Sequence, residues 1–266
     1  MKHVVMFSGG IGSWAAAKRV AERHGTADLT LLFCDTRSED EDTYRFLREA
    51  AENIGAPLVT IADGRTIWDV FRDTRFLGNS RVDPCSRILK RELADRWLAE
   101  HHDPADTEVV VGIDWTEEHR FTTLAARKRP WVFTAPLCEP PYLTKTQMHQ
   151  WATREGLKRQ RLYLLGAPHA NCGGGCVKMG IGGFARLYRS WPARFAEWEA
   201  NEQRLRADLG DVAILRDRMD GITRPLPLAE LRERIDADAQ IDLFDIGGCG
   251  CFVDEPSGES EGGTRE

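Results

Sequence analysis

The sequence predicts an α/β fold: a parallel sheet with helices on both faces, followed by a smaller helical, cysteine-bearing C-terminal part. Three observations predict it. Short runs rich in Val, Leu and Ile alternate with stretches of helical periodicity through the first half of the chain, the pattern of a sheet with crossover helices. Those runs lack polar alternation, as strands buried on both faces do. The first run, "HVVMF", passes through a glycine-rich turn straight into a helix-like segment.

Taken in order, "HVVMF" precedes a helix over 13–24 and "LTLLFC" one over 40–53. "PLVTI" precedes helices over 66–72 and 86–100, and "VVVGI" one over 117–128. Beyond about residue 140 the strands run out, and "LTKTQMHQWATREGL", "GFARLYRSWPARFAEWEANEQRLRADL" and "PLAELRERIDA" read as helices. The organisation predicted is a nucleotide-binding α/β domain over 1–180 and a helical extension over 181–253 with a cysteine-rich end. The polar, acidic stretch 254–266 is expected to be a disordered tail.

Composition narrows the function classes. The 266 residues suffice for a core without disulfides, and 36 basic against 42 acidic residues leave a net charge of −6, with no global field for nucleic acid. No apolar stretch approaches membrane-spanning length and no signal peptide is visible, so a cytoplasmic protein without a membrane partner is expected. In that compartment the seven cysteines point to metal or redox chemistry rather than to disulfides.

The stretch "FSGGIGSW" reads as strand, glycine turn and helix N-terminus. Glycines let the backbone turn with positive φ and approach a ligand, while the exposed N–H groups at a helix start favour an anion. Ser8, Gly9, Gly10, Gly12 and Ser13 are therefore the candidate phosphate-binding residues, with Ser13 also expected to cap the helix. The spacing is neither a Walker P-loop nor a Rossmann fingerprint.

"SGGIGS" resembles the PP-loop, usually SGGxDS, of the adenine nucleotide α-hydrolase superfamily. "FCDTRSEDEDTYRFL" resembles a segment of phosphoadenosine-phosphosulfate (PAPS) reductase-like proteins, matching at Asp35, Thr36, Asp42, Thr43, Tyr44 and Phe46. "DPCSRILKREL" is similar to that family's cysteine segment before a basic helix, "VGIDWTEEHR" to its Gly-x-Arg-x-x-Glu-Ser-x-x-Arg, and "LYLLGAPHANCGGGC" to its Leu-Tyr-x-x-Gly…Cys-x-x-Cys. The five pieces follow in order over roughly residues 3 to 180. The resemblance implies an adenine nucleotide, ATP or another, lying across the carboxyl ends of the strands, with Asp35 near its ribose or adenine. It also implies that Cys85, Cys172 and Cys176 take the places of iron–sulfur ligands.

Gly12 departs from the pattern, since PP-loop proteins carry there an Asp that helps position metal and pyrophosphate. Either another carboxylate substitutes, or attack on the α-phosphate is not the reaction. A second departure is the lack of a C-terminal Glu-Cys-Gly-x-His segment, for which "GGCGCF" is the only candidate replacement.

Lys90, with Arg87 and Arg91, lies beside Cys85 on a predicted helix and is read as neutralising phosphate. Glu117 and Arg120 follow a probable strand, where carboxylates suit Mg²⁺ or acid–base work. Together with Cys85 they are the candidate catalytic residues. The thiols of Cys172 and Cys176 in one glycine loop and of Cys249 and Cys251 near the end are soft ligands, suited to an iron–sulfur cluster or to structural Zn²⁺. Cys34 and Cys138 are assigned to packing, as are the aromatics of "RLYRSWPARFAEWE".

The expected activity is adenylation of an acceptor, a nucleobase or small metabolite, followed by sulfur transfer from a sulfur donor at the cysteine centre. Two alternatives remain open, reduction of a sulfonucleotide by a thiol reductant and a nucleotide-binding regulatory module without catalysis. A homodimer is a further candidate assembly.

Overall fold

The computed structural model describes residues 1–219, 222–239, 241–245 and 247. Its centre is a five-stranded, all-parallel sheet of order β3-β2-β1-β4-β5, built from β1 (Lys2–Met6), β2 (Leu29–Asp35), β3 (Leu58–Ala62), β4 (Thr107–Val110) and β5 (Val132–Thr134). Val5 stands level with Leu31 of β2 and Val110 of β4. The period-two geometry of a strand sends Val5 and Phe7 into one apolar layer and Val4 and Met6 into the other. The first layer is closed by α1 (Ile11–His24), α2 (Glu41–Ile54) and α7 (Lys145–Arg154), the second by α5 (Leu93–His101) and α6 (Glu118–Arg127). This is the predicted parallel sheet covered on both faces.

Local signals fix the helix ends. Glu41 and Asp42 occupy the first turn of α2, where the helix dipole favours negative charge, and Gly55 at φ 77° closes the other end. Thr66 and Asp69 form a reciprocal capping box that starts α3 (Ile67–Asp73). The helix predicted over 86–100 begins at α4 (Pro84–Ser86) and passes through a π-helical turn, Arg87–Glu92, before α5. That turn buries Lys90 and Arg91, and the Cys34 thiol donates to the Lys90 carbonyl at 3.6 Å.

Beyond α8 (Arg161–Leu164) the predicted helical part is more mixed. The run expected as one helix over 183–209 breaks at Trp191 into α9 (Ile181–Ser190) and α10 (Pro192–Leu209), because Pro192 begins the second helix. An antiparallel hairpin, β6 (Leu215–Met219) with β7 (Ile222–Leu226), precedes α11 (Leu228–Asp236). Of the aromatics assigned to packing from their spacing, Phe195 and Trp198 are buried in a third apolar cluster that also takes in Val70, Phe71, Cys85, Cys172 and Phe184, and Tyr188 and Trp191 pack against it half-buried. At the carboxyl side the chain returns to pair Gly247 with Met179. Among the described residues no helix is long and apolar enough to cross a membrane.

Candidate functional site

Strand order reverses at β1. The β1 chain leads into α1 on one face and the β4 chain into α6 on the other, and in open α/β sheets ligands bind outside the carboxyl ends at such a switch point. Ser8–Ser13 lies there. Gly9 has φ 76°, and a Cβ on it would stand 3.0 Å from Thr43 and 3.1 Å from Leu47, so both conformation and space call for glycine. Gly10 is extended and serves as N-cap of α1 without a side-chain cap. The expectation that Ser13 caps this helix is therefore corrected. Its hydroxyl lies inside the first turn and donates to Gly10 O at 2.8 Å. Ser8 accepts from Gly10 N at 3.4 Å.

The amide of Ile11, first in α1, donates to the Tyr163 hydroxyl at 3.1 Å. An acceptor oxygen thus already occupies the helix end where an anion would bind. The Tyr163 ring meets His149 edge-on, with centroids 4.5 Å apart. Burial, with Arg159 and Lys145 nearby, pushes the His149 imidazole down to about 4. His169 is likewise pushed down to about 4, by burial and then by Lys145, Arg120 and Arg186. Both imidazoles are neutral at pH 7 and have cations for neighbours.

Asp35 ends β2, where its carboxylate accepts from Arg37 N at 2.8 Å and from the Tyr44 hydroxyl at 2.6 Å. Burial and then this carboxylate hold the Tyr44 phenol above its ordinary range. Glu117 and Arg120 form an ion pair at the start of α6, and Asp114 caps that turn by accepting from Thr116 N at 2.9 Å.

A small cavity of about 20 Å³ lies on the other side of the β2–α2 loop. Cys85, Lys90, Cys172 and Cys176 line it together with Thr36, Asp83, Ser86 and Lys178. Four sequence-predicted residues are thereby brought together, while Glu117 and Arg120 do not border this cavity. Lys90, read from sequence as a phosphate partner, stands among the thiols, with its ammonium 3.5 Å from the buried Glu39. Glu39 also accepts from Cys172 N at 2.6 Å and from the Thr36 hydroxyl at 3.3 Å. A hydrogen bond with Cys176, and then burial, raises the Cys172 thiol well above its ordinary value, with Lys90 opposing. The packing cysteines are raised by burial, Cys34 to about 12 and Cys138 to about 11.

Among the described residues no group of three or more His, Cys, Asp or Glu side chains stands close enough to hold a metal ion. Cys249 and Cys251 lie outside those residues. Glu39, Lys178, Tyr163, His149 and His169 were missed by sequence reasoning. Tyr163 stands inside "LYLLG", a segment already singled out, whereas Glu39 is one of four acidic residues in "SEDED" and nothing local separates it from them.

Fold and site together define a parallel α/β protein with a glycine turn at the switch point of its sheet and a thiol-lined cavity nearby. No family model and no curated protein matches the chain. Among solved structures, the crystal structure of phosphoadenylyl-sulfate (PAPS) reductase from Candida auris, a phosphate complex, is similar at 15% identity and a TM-score of 0.45. The likeness covers 63% of this chain and 79% of that one.

Proposed function

We propose that the chain is an enzyme of nucleotide-dependent sulfur transfer, with the phosphates of an adenine nucleotide at Ser8–Ser13 and sulfur handled by the thiols of Cys85, Cys172 and Cys176. One observation carries the reading: the stretch from Glu39 of the β2–α2 loop to Leu47 of α2 serves both sites. Thr43 and Leu47 of α2 close over Gly9, and Glu39 of the preceding loop holds the Cys172 amide. In this reaction an acceptor oxygen attacks the α-phosphorus of ATP and pyrophosphate leaves. A persulfide donor passes its outer sulfur to a cysteine thiolate, the resulting cysteine persulfide displaces AMP from the adenylated acceptor, and a second cysteine thiolate attacks the disulfide so formed, freeing the acceptor thiolate and leaving a cysteine disulfide for an external dithiol to reduce. Lys90 pulls the Cys172 thiol toward the thiolate, against the larger upward pull of the Cys176 hydrogen bond and burial. Arg120, Lys145 and Arg186, around His169, supply positive charge for an anionic substrate.

A second reading is reduction of a sulfonucleotide, and Gly12 favours it. A Cβ there would meet Gly112 O at 2.8 Å, so the backbone leaves no room for the carboxylate that positions metal and pyrophosphate in the resembled loop. In this reading a cysteine thiolate attacks the sulfur, the adenosine phosphate leaves, and a second thiol releases sulfite with formation of a disulfide that an external dithiol reduces.

The described thiols alone do not make a metal site, and neither reading routes a step through one. What supports an iron–sulfur or zinc centre is the path of the chain. Gly247 pairs with Met179, three residues past Cys176 and two short of Cys249. Cys85, Cys172 and Cys176 with Cys249 or Cys251 would hold it, and a cluster would bind sulfur where zinc would only pin the chain.

The test offers the protein ATP with candidate acceptors, and adenylyl sulfates with a dithiol. Acceptor-dependent pyrophosphate release supports the first reading and dithiol-dependent sulfite release the second. Tight nucleotide binding with neither product makes the chain a regulatory module, and absence of nucleotide binding overturns all three.

A further inference from the structure

The segment from residue 160 to residue 176 is anchored to both candidate sites. At its start Arg161 forms an ion pair with Asp40, and the Arg161 amide donates to Asp42 at 2.6 Å. Within α8, Tyr163 accepts the Ile11 N–H at 3.1 Å. Leu162 of the same helix packs over Gly174, where an added Cβ would stand 2.7 Å from the leucine Cδ2. Further on, Ala170 O accepts from the Thr43 hydroxyl at 3.4 Å, and Cys172 N donates to Glu39 at 2.6 Å. One short strap therefore joins the first amide of α1 to the thiol cavity.

We propose that Tyr163 couples occupancy of the phosphate loop to the opening of the thiol cavity. This rests on the phosphate reading of Ser8–Ser13 above. The Ile11 amide has one hydrogen to give, and an anionic phosphate oxygen is a stronger acceptor than a phenolic one. A nucleotide phosphate at the helix end takes that hydrogen, and the Tyr163 hydroxyl loses its bond to Ile11. A helix of four residues has little stability of its own, so without the Ile11 bond the part of α8 beyond Arg161, which Asp40 and Asp42 still hold, loosens. Leu162 lies against Gly174, and loosening passes directly to the loop that carries Cys172 and Cys176. The buried thiols of Cys85 and Cys172 are then covered while the nucleotide is absent and become accessible when it arrives.

Hydrogen exchange on the full chain tests this, with ATP and with inorganic pyrophosphate as probes and calorimetry recording their binding. In the wild type, saturation with either probe is expected to speed amide exchange in peptides spanning 160–176 about threefold or more. Tyr163→Phe keeps the ring against His149 but removes the competing oxygen. Its strap is expected to exchange fast without ligand, to show no further change on binding, and to bind the probes about threefold more tightly. Binding to the wild type with unchanged exchange in the strap overturns the coupling and leaves the phosphate reading standing. Weaker binding by Tyr163→Phe overturns it as well, because the hydroxyl would then be a ligand of the phosphate. Failure of both probes to bind the wild type overturns the phosphate reading and the coupling together. The wild-type comparison needs no variant and stands whether or not Tyr163→Phe folds.

Discussion

Gly12 and Gly112 meet backbone to backbone at the switch point of the sheet. A Cβ on Gly12 would stand 2.8 Å from Gly112 O, and one on Gly112 would stand 2.6 Å from Ser13 N. The contact joins the first turn of α1 to the chain leaving β4, so the missing carboxylate at position 12 is a consequence of packing. Both neighbours are backbone and cannot swing aside. Gly12→Ala and Gly112→Ala are each expected to destabilise by about 1–3 kcal/mol, as overpacking does, read as a lower urea midpoint. Gly12→Asp should cost more than Gly12→Ala and give no gain in nucleotide binding. A Gly12→Asp variant of wild-type stability would show that the two loops part easily.

Four histidines, His3, His102, His149 and His169, have pKa values lowered in the fold, chiefly by burial. A base whose folded value lies below its unfolded 6.5 stays neutral in the native state while the unfolded chain takes up a proton. The unfolded state then binds more protons between pH 6.5 and about 4, the folded value of His149 and His169. Stability from these groups is complete above 6.5 and is lost as pH falls through that window. Urea midpoints measured from pH 7 down to 4.5 are expected to drop, and His149→Gln and His169→Gln should each flatten the profile. A profile equally steep in both variants would place the proton uptake elsewhere.

Glu202 pins the C-terminal helices to the hairpin. Its fully buried carboxylate accepts from Ile214 N at 2.9 Å and Leu228 N at 2.6 Å, and burial raises its pKa. Glu202→Ala leaves two interior amides without this acceptor and is expected to cost about 2–4 kcal/mol. Glu202→Gln keeps one carbonyl oxygen in place and should cost less. Equal losses in a denaturation series would mean that charge, not acceptance, is what the site requires.

These contacts differ in how far the sequence announces them. The first four strands were legible because their apolar runs are continuous. β5 has three residues, wedged behind Arg129–Pro130 and Trp131, too few for periodicity to register. The hairpin was hidden because "LRDRM" alternates with charge and "ITRPL" carries a proline, a residue that argues against strands. At the site, Gly9 was readable from the glycine turn, and the gathering of Cys85 with Cys172 and Cys176 from the family resemblance alone. Tyr163 was quoted within its motif without a role, since its partner Ile11 lies 152 residues away. Glu39 carried no mark at all, because an acidic residue that folds inward has the same one-dimensional neighbours as one that stays in water.

The buried pair of Glu39 and Lys90 yields the last prediction. Glu39 accepts the Cys172 amide at 2.6 Å and the Thr36 hydroxyl at 3.3 Å and faces the Lys90 ammonium at 3.5 Å, with the Glu39 and Lys90 side chains almost fully enclosed. Removing one partner of such a pair strands charge in the interior, whereas removing both charges together does not. Glu39→Ala loses all of these interactions and is expected to cost about 3–5 kcal/mol. Glu39→Gln keeps an acceptor for the amide but leaves Lys90 facing a neutral group, and Lys90→Met leaves the carboxylate facing a thioether, so each should also destabilise. The double variant Glu39→Gln, Lys90→Met retains the amide bond with neither charge, and should lose about 1–3 kcal/mol less than the two single losses added. Urea denaturation of the four proteins decides it. Additive losses would mean that Glu39 acts on Cys172 alone and that Lys90 answers to other partners in the cavity.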